Sequence, residues 1–158
     1  MKRMLLLSAF ILIALGSMSQ GLEFRIKGGI NFQKSQSPDS EYSFLPHAGA
    51  MLGMRISTIG IYGEFLYSIH DNQNWPDQAA YLVPSALVRF YGFRMIFLEA
   101  GLSYWILADE QITGALIELP EKEFGYFVGL GFNLRKFEVG IRTTAPISSI
   151  QLTGTYRF

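Results

Sequence analysis

The chain has 158 residues, 13 basic and 13 acidic side chains, no formal net charge and no cysteine. Such a balance excludes the strongly basic surface that a nucleic-acid partner requires. Without disulfides, an exported domain of this size must be held by a full core or by a closed, hydrogen-bonded sheet.

The chain opens with Lys2 and Arg3, an apolar run from Met4 to about Gly16, and then Ser17-Met18-Ser19. A basic start, a short apolar stretch and a small-x-small site form the pattern of a secretory signal peptide. The run is too short for a membrane helix, which needs roughly 20 apolar residues. We therefore expect residues 1–19 to be removed near Ser19 or Gln20, leaving one domain over 20–158. That loss lowers the basic count from 13 to 11 against 13 acids, a net charge of about −2. Hydrophobic residues make up 49% of the chain and aromatics 15%, which is rich for a water-soluble all-β domain.

Eight segments alternate with period two: 22–32, 45–57, 60–70, 80–91, 95–106, 123–134, 136–144 and 148–158. That period is the signature of a strand with one apolar and one polar face. The lengths match the roughly 9–11 residues with which a tilted strand crosses a bilayer. Links after strands two, four and six are tight: Thr58-Ile59, Gly92-Phe93-Arg94, and Arg135 with its neighbours. Links after strands one, three and five are longer and polar: Gln33–Phe44, Asp71–Ala79 and Leu107–Lys122. The seventh, around Ala145-Pro146, is short. Turns at one end and longer loops at the other match a bacterial outer-membrane barrel with both termini in the periplasm.

One face of every strand is free of charge. It runs through Leu22 to Phe32, Ala48 to Ile56, Ile61 to Ile69, Leu82 to Phe90, Ile96 to Ile106, Phe124 to Leu134, Phe137 to Thr143 and Ile150 to Phe158, taking alternate residues. None of these 42 positions is charged, where a chain with 16% charged residues would place about seven on a random face. The aromatics sort by depth. Phe24, Phe90, Phe132, Phe137, Tyr156 and Phe158 fall at the turn end; Phe32, Tyr67, Tyr104, Phe124 and Tyr126 fall at the loop end. Two such girdles suit the two membrane interfaces.

The opposite face carries Glu23, Arg25, Lys27, Asn31, Arg55, Glu64, Ser68, Arg89, Glu99, Glu138, Arg142, Gln151 and Arg157, with eight glycines among them. Eight strands enclose a lumen that side chains can just fill, and the glycines are expected to make room there for Arg and Glu. Buried charges must pair, so Glu64, Arg89, Glu99 and Arg142 are the candidate lumenal charge network, more a structural plug than an ion path. A lipocalin-like barrel, apolar inside, would have to pack eleven large aromatics into that lumen. The expected fold is all-β, an eight-stranded antiparallel up-and-down transmembrane β-barrel.

Four stretches carry a family resemblance: Phe24-Arg-Ile-Lys-Gly-Gly-Ile-Asn-Phe32, Tyr81-Leu-Val-Pro84, Glu99-Ala-Gly-Leu102 and the ending Gly154-Thr-Tyr-Arg-Phe158. In order and spacing the chain resembles the PorT-like outer-membrane β-barrel family of Bacteroidetes-type Gram-negative bacteria, over essentially all of residues 20–158. The resemblance implies fold and location rather than one activity, and it accommodates the mid-strand Pro84. By analogy with such barrels, Tyr156 and Phe158 form the membrane girdle and the signal read by the barrel assembly machinery.

Chemistry is sparse. Ser68, His70 and Asp71 form the most enzyme-like cluster, but sequence proximity is weak evidence for a triad, which is defined by geometry. A solvated rim is the expected setting of His70, and the lumen that of His47. Two histidines without cysteine make no transition-metal site, and we expect no cofactor. The outer loops hold Asp39, Glu41, Asp71, Asp77, Asp109, Glu110, Glu118 and Glu121 against Lys34 and Lys122. Asp109, Glu110, Glu118 and Glu121 are the candidate loop binding surface, for a protein or for divalent cations bridging lipid phosphates. The expected role is structural, binding or export-accessory and non-catalytic. A rim lipid hydrolase or acyltransferase using Ser68 and His70, or a narrow pore, is the alternative.

Overall fold

The computed structural model describes residues 21–34, 42–71, 78–93, 95–109 and 122–158. They form eight strands in one sheet: β1 Leu22–Lys34, β2 Tyr42–Ile56, β3 Ile59–Asp71, β4 Gln78–Phe93, β5 Ile96–Asp109, β6 Lys122–Leu134, β7 Phe137–Ala145 and β8 Ser149–Arg157. Each pairs antiparallel with its sequence neighbour, and β8 returns to β1, from Arg25↔Arg157 to Phe32↔Ile150, closing the barrel. Closure leaves no edge strand, so each strand has a hydrogen-bonded neighbour on both sides.

Several strands run further toward the loop end than expected. Residues 33–34, 42–44, 78–79 and 107–109, read from the sequence as loop, belong to β1, β2, β4 and β5. The reason is visible in β2, where Tyr42 and Phe44 continue the outward apolar face. Strands β7 and β8 have nine residues each while β4 has 16, so the wall is lower beside the seam.

The turns at the other end are two-residue hairpins. Ile56 pairs with Ile59 and Leu134 with Phe137. Their first residues, Ser57 and Arg135, have φ of 56° and 63°, the hand that lets such a short link follow the twist of its strands. Pro84 faces outward on β4. It pairs with Phe65 of β3, but on the β5 side the ladder passes from Leu82↔Ile106 to Ser85↔Ser103. A residue without an N–H is tolerated where one ladder is already interrupted.

Alternate residues face out and in, as the period demands. Outward stand Phe24, Ile61, Leu98, Leu102, Val128, Leu130 and Phe137, all exposed; inward stand Arg25, Met51, Tyr62, Leu66, Arg89, Phe97 and Gln151, all buried. Outward aromatics form a contiguous band across the seam. Phe137–Tyr156 and Tyr156–Phe158 ring centroids are 5.0 Å apart, and Phe24–Phe158 5.6 Å. Tyr42 and Phe44 extend the loop-end girdle, where Phe44 packs on Phe32 at 5.1 Å.

Candidate functional site

The lumen is the site with the most chemistry, and its walls differ. Strands β1, β7 and β8 line it with Arg25, Lys27, Asn31, Glu138, Arg142, Thr144, Gln151, Thr153 and Thr155, all buried and all polar. The other strands supply two apolar clusters: Met51, Tyr62, Leu87 and Phe127, and Leu66, Val83 and Trp105 with Tyr81, on which Ile147 of the β7–β8 link also packs. Sequence reading of the inward face found the charges but missed Tyr62, Tyr91, Phe97 and Phe127. Their signal was available, since each stands in phase with an inward-facing charge on its own strand or on the next.

Four acids and four bases interlock in the lumen. Arg142 Nη1 donates to Glu64 Oε1 at 2.7 Å, and Lys27 pairs with the other Glu64 oxygen. Arg89 Nε donates to Glu99 Oε2 at 2.8 Å, and its Nη1 donates to Glu138 Oε2 at 2.6 Å. Arg25 joins Glu138 and Glu23. The four residues singled out from sequence thus fall into two pairs, Glu64 with Arg142 and Arg89 with Glu99, each embedded in a larger set. Neutral partners complete it. Tyr62 Oη donates to Glu23 at 2.8 Å, Arg25 Nη2 donates to Tyr62 and Tyr91 at 3.0 Å each, and Arg142 Nε donates to Gln151.

The guanidiniums also reach the apolar wall. Arg142 lies 4.4 Å from the Phe127 centroid, Arg89 4.4 Å from Phe97, and Arg25 4.7 Å from Tyr62. In a desolvated setting each such contact contributes on the order of 2 kcal/mol. The inward glycines chiefly serve these rings rather than the long charged chains. A Cβ at Gly131 would strike the Phe97 ring, and one at Gly101 the Phe127 ring; only Gly129 backs onto an arginine, Arg142. Flat rings packed against the wall need a wall without side chains.

Nearer the loop end runs a directional chain of hydrogen bonds. Asn31 Nδ2 donates to the carbonyl of Ile69 at 2.8 Å and to Ser68 Oγ at 2.9 Å. Because a carbonyl only accepts, this fixes the amide, and Asn31 Oδ1 must accept from His47 Nδ1 at 2.9 Å. In neutral His47, Nε2 then accepts from Thr153 Oγ1 at 3.1 Å. Ser68 Oγ and His70 Nε2 are hydrogen-bonded at 2.8 Å, and either atom can be the donor. The other ring nitrogen, Nδ1, is buried and has no hydrogen-bond partner among the described residues.

These positions correct one expectation. His70 is no solvated rim residue; it is 0% exposed, wedged edge-on against Trp105 at 5.1 Å and Tyr81 at 6.1 Å. Strands β4 and β5 reach past it and cover it. Ser68 and His70 do form a hydroxyl–imidazole pair, but it points into the lumen, away from the outer face, and among the described side chains no carboxylate orients the ring as a triad would require. His47 faces the lumen on β2. Of the loop surface, Glu110, Glu118 and Glu121 lie outside the described residues, and Asp109 ends β5.

No family model and no curated protein matches the chain. Solved structures do resemble it. The Yersinia pestis outer membrane protein Ail in a phospholipid bilayer nanodisc superposes with a TM-score of 0.56 at 16% identity, covering 87% of this chain and 99% of that one. Neisserial surface protein A gives 0.52 at 11%, covering 87% and 96%. The crystal structure of Ail, the attachment invasion locus protein, gives 0.50 at 13%, covering 87% and 99%. The chain shares with them the fold of a closed, eight-stranded antiparallel β-barrel.

Proposed function

We propose that the protein is an integral outer-membrane β-barrel of a Gram-negative bacterium, non-catalytic, with a side-chain-filled lumen and both termini in the periplasm. The observation that carries this reading is the inversion of the barrel. Charges are paired inside, whereas Leu102, Phe124, Tyr126 and Phe137 stand outside at 60% exposure or more. In water such a surface would aggregate; in hydrocarbon it is the lipid face. The resemblance to barrels described as outer-membrane and surface proteins supports the location, and the N-terminal signal pattern supports export.

The lumen argues for a structural, binding or export-accessory role. Arg25, Arg89, Tyr62 and Phe97, each at most 2% exposed, fill the space a pore would need. Membership of the PorT-like family is proposed from the four sequence stretches, and recognition of Tyr156 and Phe158 by the assembly machinery from their place in the aromatic band at the seam. The outer loops, with their surplus of acids, are the surface for a protein or divalent-cation partner.

The Ser68–His70 contact of 2.8 Å favours one second reading, a lipid hydrolase. Its burial inside the lumen opposes it. Fractionation of a Gram-negative host expressing the full chain tests the main reading: the protein should sediment with the outer membrane and be cleaved by external protease only in the loops. Recovery in the soluble periplasm would overturn it. Release of fatty acid by the wild-type protein, lost in Ser68→Ala, would establish the second.

A further inference from the structure

Outside the lumenal network, the described residues at the turn end carry Arg55, Arg135, Lys136 and Arg157. The acids of that end, Glu23 and Glu138, are both engaged by arginines. The loop end has the opposite charge in sequence, 8 acids against 2 bases. By sequence, the acids thus gather in the links of one end, while the described turn end carries the spare bases.

At the basic end lies a recess of about 560 Å³, lined by Met95, Asn133, Leu134, Arg135 and Arg157. It sits between two turns and the terminal strand, held by backbone bonds. Asn133 N–H donates to Met95 O at 2.7 Å, and Arg157 N–H to Lys136 O at 2.8 Å. The Arg157 side chain is held in place. Its Nη2 donates to the Arg135 carbonyl at 2.7 Å and its Nη1 lies 3.4 Å from Glu23 Oε1, while the group stays 24% exposed. Arg135 and Lys136 are exposed. The apolar side of the recess is open too, through Met95 at 56% and Leu134, next to the girdle residues Phe132 and Phe137. Cationic donors on one side and an apolar wall on the other suit an anionic amphiphile.

We propose that this recess binds the phosphate headgroup of an anionic phospholipid in the leaflet facing the turns. Arg135, Lys136 and Arg157 meet the phosphate, Asn133 offers an amide to the headgroup, and Met95 with Leu134 packs on the first acyl carbons. Charge complementarity favours this end over the acidic loop end. The inference rests on the membrane reading above.

Native mass spectrometry of the protein released from nanodiscs of equimolar phosphatidylglycerol and phosphatidylcholine tests it. Each basic side chain near an anionic lipid surface gives about a fivefold preference. The wild type should therefore retain phosphatidylglycerol in several-fold excess. Arg135→Gln/Lys136→Gln should bring the ratio close to parity, and Lys34→Gln/Lys122→Gln, at the loop end, should leave it unchanged. Parity in the wild type, a preference that survives the turn-end substitutions, or one lost only with the loop-end pair would overturn the proposal. A protein that fails to enter nanodiscs, with one gel mobility boiled or unboiled, would overturn the membrane reading itself and this site with it.

Discussion

Arg142 and Glu64 meet across the lumen at 2.7 Å from strands β7 and β3, 78 residues apart in sequence. The bond braces the polar wall beside the seam against the far side of the barrel, and both groups are fully or almost fully buried. Glu64 also holds Lys27 of β1, so one carboxylate links three strands. Breaking a buried pair by removing one partner costs about 3–5 kcal/mol, because a charge is left uncompensated. Glu64→Gln, which strands both Lys27 and Arg142, should lower urea stability in vesicles by that amount. Glu64→Gln/Arg142→Met should cost less than the sum of the single changes by at least about 1 kcal/mol. Additive losses would show that the pair is not coupled.

The seam gives a second prediction. Phe158 N–H donates to the Phe24 carbonyl at 3.1 Å, and their rings stack obliquely. An aromatic pair contributes about 0.5–1.5 kcal/mol beyond its area. Phe158→Ala should thus weaken the purified barrel by roughly 1–2 kcal/mol, while the amount assembled in the outer membrane of living cells falls much more steeply. Equal small losses in both assays would remove the assembly-signal role.

A third concerns the Asn31 amide, which serves His47, Ser68 and the Ile69 carbonyl at once. Each buried polar group left without a partner costs about 1–3 kcal/mol. Asn31→Leu should be the most damaging change in that chain, worse than Ser68→Ala or Thr153→Val. Equal stability of the three variants in urea titrations would contradict the central place of the Asn31 amide in that chain.

A depth series supplies the fourth. An arginine on the lipid face of a membrane barrel costs about 2–4 kcal/mol at the midplane and about 0–1 near an interface. Val128→Arg, mid-way along β6, should therefore destabilise the vesicle-inserted barrel far more than Leu134→Arg at its turn end, although the two side chains are 52% and 49% exposed. Equal costs would mean that no hydrocarbon surrounds β6.

How much of this was legible in the sequence depends on the range of the interaction. The outward face was readable strand by strand, because a side chain on the outer surface answers only to its own strand's phase; Leu98, Val128 and Ile141 follow from alternation alone. The lumen was legible as a set of charges but not as pairs, since Glu138 meeting both Arg25 and Arg89 depends on three separate strands. His70 was misread for the same reason: its cover is Tyr81 and Trp105, 11 and 35 positions on. The strand ends at the loop side were hidden where polar loop residues sit in period, as at Tyr42-Ser-Phe44 before the inward Leu45.

The central claim, that the apolar exterior is a lipid face and the barrel folds in membrane, is tested most directly by gel mobility. The protein diluted from urea into phosphatidylcholine vesicles should give a band that migrates differently unboiled and boiled, and it should stay with the vesicles through an alkaline wash. A single mobility, together with protein that is monomeric in buffer without lipid or detergent, would contradict the account.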